Sequence, residues 1–274
     1  MADQDLPPQT LAGKTTIVTG SARGLGAEMA FDLAIRGAQV RIAKRADLGS
    51  LPKVVVVYTS VSSTEKAEKL VEDINALPNA SAAISVRANL GEVSAPRDII
   101  DATIGAFGKD IHILVNNAAV QITRPLSEIS HKDYDDVYNV NVRGVILMTQ
   151  ATLKHMPPKS RIINISSVGG RSGFPSLSLY TSSKAALEGL TRSWAAELGS
   201  NGTTVNAVAP GPVQSEMLDS IPKEIVQMQK ESTPVEKRVG MPYEVSNVVS
   251  WLASEESAWI SGQTLNVSGG WTMY

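Results

Sequence analysis

Tyr180 and Lys184 stand four residues apart in Tyr180-Thr181-Ser182-Ser183-Lys184, and Ser167 lies thirteen residues before the tyrosine. On a helix, a spacing of four puts both side chains on one face, with Cβ atoms roughly 5–6 Å apart. A free phenol has a pKa near ~10 and exchanges protons poorly at neutral pH. An ammonium held beside it favours the phenolate and is expected to lower that pKa. The pair then forms a tunable acid/base, which carbonyl reduction and alcohol oxidation both require. Any exposed helix can carry the same spacing, so the motif gains meaning only from the elements that would hold it.

The 274 residues are 43% hydrophobic, enough to build a large core. Short β-branched runs occur at 15–18, 54–58, 83–86, 111–115, 161–165, 203–208 and 264–267. Most lack apolar/polar alternation, as strands buried on both faces of a parallel sheet do. Helix-like segments fall near 24–36, 64–77, 96–107, 130–156, 180–199 and 242–254. Repeated strand–helix–strand units predict an α/β fold, a doubly wound Rossmann-type parallel sheet of about seven strands with helices on both faces. No linker or repeat interrupts the pattern, so residues 13–274 read as one domain and residues 1–12 as a loose tail.

Bulk properties narrow the partners. A net charge of −2 gives no electrostatic reason for nucleic acid or an anionic membrane. The chain has no cysteine, which excludes disulfides, thiolate catalysis and Cys-ligated zinc, and fits a reducing compartment, so a cytoplasmic location is expected. The N-terminal stretch lacks the basic-then-apolar pattern of a signal peptide, and no run of about 18 apolar residues suggests a membrane span. His112, His131 and His155 are scattered without ligand spacing, so no metal site is expected.

Directly after the first strand run comes Thr19-Gly20-Ser21-Ala22-Arg23-Gly24-Leu25-Gly26, and then a helix. Glycines let a backbone approach a pyrophosphate closely, and amides at a helix start face that anion. The spacing is G-x-x-x-G-x-G rather than the commoner G-x-G-x-x-G.

The order of these motifs carries a resemblance. The glycine stretch is followed by Asn116-Asn117-Ala118-Ala119, Asn139-Val140-Asn141-Val142, Ile165-Ser166-Ser167, Tyr180-x-x-x-Lys184 and Pro210-Gly211, with Ser261-Gly262-Gln263-Thr264 and Ser268-Gly269-Gly270 near the end. From about residue 12 onward the chain resembles the short-chain dehydrogenase/reductase family, and within it fungal-type polyhydroxynaphthalene and β-ketoacyl reductases. The resemblance implies Tyr180 as the general acid and Lys184 as the residue that binds nicotinamide ribose and tunes the phenol. It implies Ser167, not Ser166, as the hydroxyl that bonds the substrate oxygen, and Asn141 as the holder of a water beside the lysine. It also implies cofactor contacts from Gly20, Arg23, Gly24, Leu25, Gly26, Asn89, Asn116, Arg143, Pro210, Gly211, Val213 and Ser215.

The cofactor expectation is NADP(H) over NAD(H). NAD-binding members place a carboxylate at the end of the second strand, where it would repel a 2′-phosphate. With Val54–Tyr58 as that strand, Thr59 and Ser60 follow, cofactor contacts whose hydroxyls can donate to phosphate; with Gln39–Ala43, Lys44 and Arg45 follow. The first register is preferred, neither supplies an acid, and Arg23 precedes the middle glycine; Asp47 is the remaining objection. The preferred register leaves an extra segment, residues 40–53, expected as a surface excursion. Asn89 stands where the family usually has aspartate, and Ala119 where it usually has glycine.

For substrate, a small or medium apolar ketone or alcohol is expected, with Phe174, Leu177, Gln121, Val168 and Met217 as candidate walls and residues 214–233 as a lid or an ordinary surface helix. Family resemblance implies a homotetramer or homodimer through the helices near 130–156 and 180–199, and a C-terminal Trp271–Tyr274 segment that reaches a neighbouring subunit. Four functions stay open at this point: an NADPH-dependent carbonyl reductase, an alcohol or polyol dehydrogenase running oxidatively, a nucleotide-binding sensor that keeps the fold without catalysis, and recruitment of the cofactor pocket for imine reduction or a cyclisation.

Overall fold

A computed structural model describes residues 10–37, 53–59, 61–78, 81–219 and 221–274. Seven strands form one sheet: β1 (Thr15–Val18), β2 (Lys53–Tyr58), β3 (Ala82–Arg87), β4 (Ile113–Asn116), β5 (Arg161–Ile165), β6 (Thr204–Pro210) and β7 (Thr264–Val267). Their order is β3-β2-β1-β4-β5-β6-β7, and every neighbouring pair is parallel. This is the doubly wound architecture read from the sequence. β2 is the Val54–Tyr58 run, paired with β1 from Thr15↔Lys53 to Val18↔Val56. Residues 38–52, which hold Asp47 and most of the extra segment, lie outside the described residues, as does Ser60.

The four valines of β2 show why both faces must be apolar. Val54 and Val56 pack into one layer with Met29, Leu33, Ile113, Ile163 and Leu252, against α1 (Gly24–Ile35), α2 (Thr64–Asn75) and α9 (Pro242–Ala253). Val55 and Val57 point the other way, onto Ile17, Leu114, Ile99 and Met148, beside α3 (Ala95–Phe107) and α5 (Val145–Leu153). Alternation with period two thus feeds two cores from one run. Each such valine contributes at most about 1.5–3 kcal/mol.

Three expectations are corrected. Residues 1–12 are not all tail: Leu11 is 2% exposed, belongs to the first core layer, and donates its N–H to the Arg36 carbonyl. The segment 130–156 is not one helix. It runs as α4 (His131–Tyr138), a π-helical turn over Asn139–Gly144, and α5. α4 starts on a capping box, in which Ser130 Oγ accepts from the Asp133 amide and Asp133 accepts from the Ser130 amide. Finally, Val145, Met148 and Leu187 of the helices expected to pair subunits are core residues. They therefore say nothing about a subunit surface.

A parallel sheet in this order has its switch point between β1 and β4, and in such sheets the ligand crevice lies outside the strand C-termini there. Because every neighbouring pair is parallel, all seven strands end on that edge. No helix among the described residues is long and apolar enough to cross a membrane, and no described cluster of His, Cys, Asp and Glu has the makings of a metal site.

Candidate active site

β5 ends at Ile165, and its extended backbone sends Ser166 and Ser167 to opposite sides. Ser166 is buried, and its Oγ donates toward the Lys184 carbonyl (3.1 Å) and Glu188 Oε1 (3.2 Å). Ser167 turns the other way. Its Oγ accepts from the Gly169 amide at 3.0 Å, and its hydroxyl acts on the Tyr180 phenol, pulling the phenol's pKa down. α6 (Ser178–Leu198) carries Tyr180 and Lys184 one turn apart, with Lys184 Nζ 5.7 Å from the tyrosine ring centroid. Lys184 is 3% exposed, and its ammonium donates to the Ile165 carbonyl at 2.7 Å.

Asn141 closes the group from the π-turn. It is fully buried, its Oδ1 accepts from the Val120 amide (2.8 Å), and its Nδ2 donates to the Val120 carbonyl (2.9 Å) and Ser183 Oγ (3.0 Å). Ser183 Oγ in turn donates to the Tyr180 carbonyl at 2.7 Å. Asn141 therefore clamps the segment after β4 to the first turns of α6. A π-turn inserts the extra residue that lets one side chain reach both, a common device at functional sites.

The electrostatics differ from the first expectation. Burial raises the Tyr180 pKa above its ordinary value, and the Ser167 hydroxyl offsets this only in part. Burial also lowers Lys184 to about 8. The ammonium is engaged by a carbonyl rather than by the phenol oxygen, so in this structure desolvation outweighs the expected pull of the cation on Tyr180.

Across the crevice, β1 runs into the glycine turn. Gly20 has φ +65°, which L side chains rarely adopt. At Gly26 a Cβ would lie 2.3 Å from the Gly20 carbonyl oxygen and 2.6 Å from Asn117 Nδ2, so only glycine lets α1 start this close to the turn. Thr19 Oγ1 accepts from the amides of Asn117 and Ala118, each at 3.0 Å. Asn117 Nδ2 donates to the carbonyls of Thr19 (2.8 Å) and Gly20 (3.0 Å). Ser21 ties the turn to β2, exchanging hydrogen bonds with the Val57 backbone.

Residues 52–272 match a family model described as Enoyl-(Acyl carrier protein) reductase. Short-chain dehydrogenase/reductase FrzI of a Cladobotryum species is 36% identical over 271 residues, spanning 96% of this chain and 98% of that protein. The chain is a short-chain dehydrogenase/reductase. Hydroxynaphthalene reductase-like protein Arp2 of Metarhizium brunneum is also similar, 33% identical over 283 residues, with 98% of this chain and 99% of that one covered. Among solved structures, angucycline C-6 ketoreductase LanV with bound NADP superposes with a TM-score of 0.83 at 30% identity, over 96% of this chain and 97% of that one. This short-chain dehydrogenase/reductase is accordingly an oxidoreductase, and the sensor reading is set aside.

The outer residues of the dehydrogenase/reductase crevice fall into three groups. Exposed Arg23 is the N-cap of α1 and pairs with Glu216 of α7 (Glu216–Asp219), which also holds Lys66 of α2 at 2.6 Å. Gly24 starts α1 and Leu25 packs partly against the first core layer. After β3, Asn89 Oδ1 accepts from the Gly91 amide (3.0 Å) while Arg143 donates to the Gly91 carbonyl (2.6 Å), so these two meet on one turn. Thr59 Oγ1 donates to the Ala88 carbonyl beside them. After β6, Pro210–Ser215 is pinned by the Gly211 amide to the Val267 carbonyl and by a bridge between Val213 and Gly240, and Ser215 Oγ accepts from the Leu218 amide at the start of α7.

Asn116 is placed differently from the reading of it as an adenosine contact. It is 2% exposed and its Nδ2 donates into the core, to Asn164 Oδ1 (2.9 Å) and Thr149 Oγ1 (3.2 Å), from where Asn164 continues to Thr191. The side chain at the crevice is its neighbour Asn117. Strand alternation carried the signal, since only one of two consecutive residues can face the turn. Thr19, Ser21 and Ser183 were missed because nothing in their spacing marks them; tertiary hydrogen bonds alone give them a role.

The C-terminal segment, expected to reach another subunit, makes these contacts within its own chain. Trp271 stacks on Phe174 (5.7 Å between centroids) and donates to Ser232 Oγ, while the Tyr274 phenol donates to the Val168 carbonyl at 2.8 Å. It covers its own Ser167 loop. The segment 214–233 forms α7 and α8 (Lys223–Ser232), with Ile225 and Met228 exposed on α8 and Leu218 buried.

Proposed function

We propose that this protein reduces a small or medium apolar ketone with NADPH, using Tyr180 as general acid. The observation that carries this reading is the placement of Tyr180 one turn from Lys184 on α6, with the phenol buried and its pKa above the ordinary value. A phenol held protonated at neutral pH is a donor, and a ketone being reduced needs a proton on its oxygen.

The crevice residues suit a nicotinamide dinucleotide. The tight turn at Gly20, the close start of α1 at Gly26 and the free amides of the first helical turn make a cradle for a pyrophosphate. When bound, such a cofactor supplies the hydride. The chain's own residues do the rest. Ser167 Oγ holds the substrate oxygen against Tyr180, whose phenol delivers the proton to that oxygen. Lys184 compensates the charge left on the phenolate and would hold ribose hydroxyls, and Asn141 fixes the backbone on which both depend. Preference for NADP(H) is supported by the absence of a carboxylate at Thr59 and by two cations, Arg23 and Lys66, which pair with Glu216 here and would exchange that carboxylate for a 2′-phosphate. The NADP bound to the ketoreductase LanV points the same way. An apolar substrate is supported by Val168, Phe174 and Leu177, with Trp271 behind Phe174. In the cell we place this activity in the cytoplasm and in secondary metabolism, and a homotetramer or homodimer is the assembly we propose.

A panel of aromatic and aliphatic ketones, followed by NADPH absorbance with NADH in parallel, tests the reading. Tyr180→Phe is expected to lower turnover by ~10²–10⁴ while NADPH binding persists. Turnover close to that of the unaltered protein would remove Tyr180 from the role.

A further inference from the structure

One buried carboxylate has no part in the proton transfer described above. Glu188 lies on α6 one turn beyond Lys184, is 3% exposed, and faces the loop that follows β5. Its Oε1 accepts from Ser166 Oγ (3.2 Å) and its Oε2 accepts from Arg171 Nε (2.5 Å). Between these two anchors Gly170 packs against the carboxylate so closely that a Cβ there would lie 2.9 Å from Oε1. The carboxylate therefore holds residues 166, 170 and 171 at once, and residue 167 sits inside that span. From the opposite side, the Tyr274 phenol bonds the Val168 carbonyl, and Arg171 lies 4.9 Å from the Tyr274 ring centroid.

A carboxylate is costly to bury, and it stays ionised only when hydrogen bonds and a cation compensate it. Here all its compensation comes from one short loop. Stability alone would be served by an apolar side chain of similar volume packed beneath that loop. A carboxylate that takes a hydroxyl at one end of the loop and a guanidinium at the other fixes the loop's register. Ser167 Oγ must stay within hydrogen-bond reach of Tyr180, and misplacement by about 1 Å costs on the order of 10²-fold in rate.

We infer that Glu188 is a positioning residue for the reduction: through Ser166, Gly170 and Arg171 it sets the Ser167 hydroxyl against Tyr180. This rests on the role proposed for Ser167. The test is a double-variant cycle on the ketone turned over best in the panel, with NADPH. Glu188→Ala is expected to lower kcat on the order of 10–100-fold and to leave the NADPH dissociation constant within about twofold. In a Ser167→Ala background the same change is expected to cost less than about twofold, because the hydroxyl it positions is gone. Glu188→Gln, which keeps the shape and one acceptor, is expected to recover most of the rate. If Glu188→Ala does not fold, Glu188→Gln and Arg171→Ala enter the same cycle, each with a smaller loss that again vanishes beside Ser167→Ala. A large effect of Ser167→Ala with a fully additive double variant overturns this inference alone. No effect of Ser167→Ala overturns the Ser167 assignment and this inference together.

Discussion

Tyr180 and Lys184 owe their proton affinities to burial more than to each other. The lysine, lowered to about 8 with its ammonium on the Ile165 carbonyl, is charged below that value and neutral above it. The phenol, raised, stays protonated through the same range. The rate of ketone reduction is therefore expected to be flat up to about pH 8 and to fall above it as Lys184 loses its charge. A pH profile of kcat at saturating cofactor checks this, and a rate that climbs between pH 8 and 9.5 would contradict it. Linkage gives a second consequence with its own sign. The folded chain releases this proton near 8 and the unfolded chain only near ~10.4, so this group's contribution makes folding stability rise with pH across that window.

At the scale of elements, each functional side chain depends on how a strand end meets a helix start. The π-turn between α4 and α5 lets Asn141 reach both backbone groups of Val120 and the hydroxyl of Ser183. The turn between β1 and α1 puts Arg23 beside Lys66 of α2, with Glu216 bridging them from α7. If that pair receives a 2′-phosphate, Arg23→Ala should raise KM for NADPH about tenfold and leave KM for NADH nearly unchanged, as loss of one charge-assisted contact would. Initial-rate kinetics with the two cofactors decide it. Equal losses with both would move Arg23 to a general pyrophosphate role.

Taken whole, the molecule is a sheet whose two apolar faces are filled by different helices, and the core reaches further toward the N-terminus than the strand pattern indicates. Leu11 is held between the first core layer and the end of α1. Leu11→Ala is expected to cost about 2–5 kcal/mol, as deletion of a buried leucine usually does. Urea denaturation measures it, and a loss below about 0.5 kcal/mol would return Leu11 to the tail. The C-terminal Trp271–Tyr274 segment belongs to this scale too, since it ties α8 and the Ser167 loop together within one chain.

Local chemistry and period are written in the chain itself. The Val54–Tyr58 run, the glycine turn and the Tyr180/Lys184 spacing are properties of neighbouring residues, and they suffice for the sheet, its β2 register and the family. What lies between distant segments is not written there. That Asn117 rather than Asn116 meets the glycine turn, that α4 and α5 are broken by a π-turn, that burial sets the phenol's pKa, and that Glu188 grips the loop of Ser167 all follow from contacts across 17 to 98 residues. Packing decides them, because burial and hydrogen-bond partners exist only once the helices have closed on the sheet.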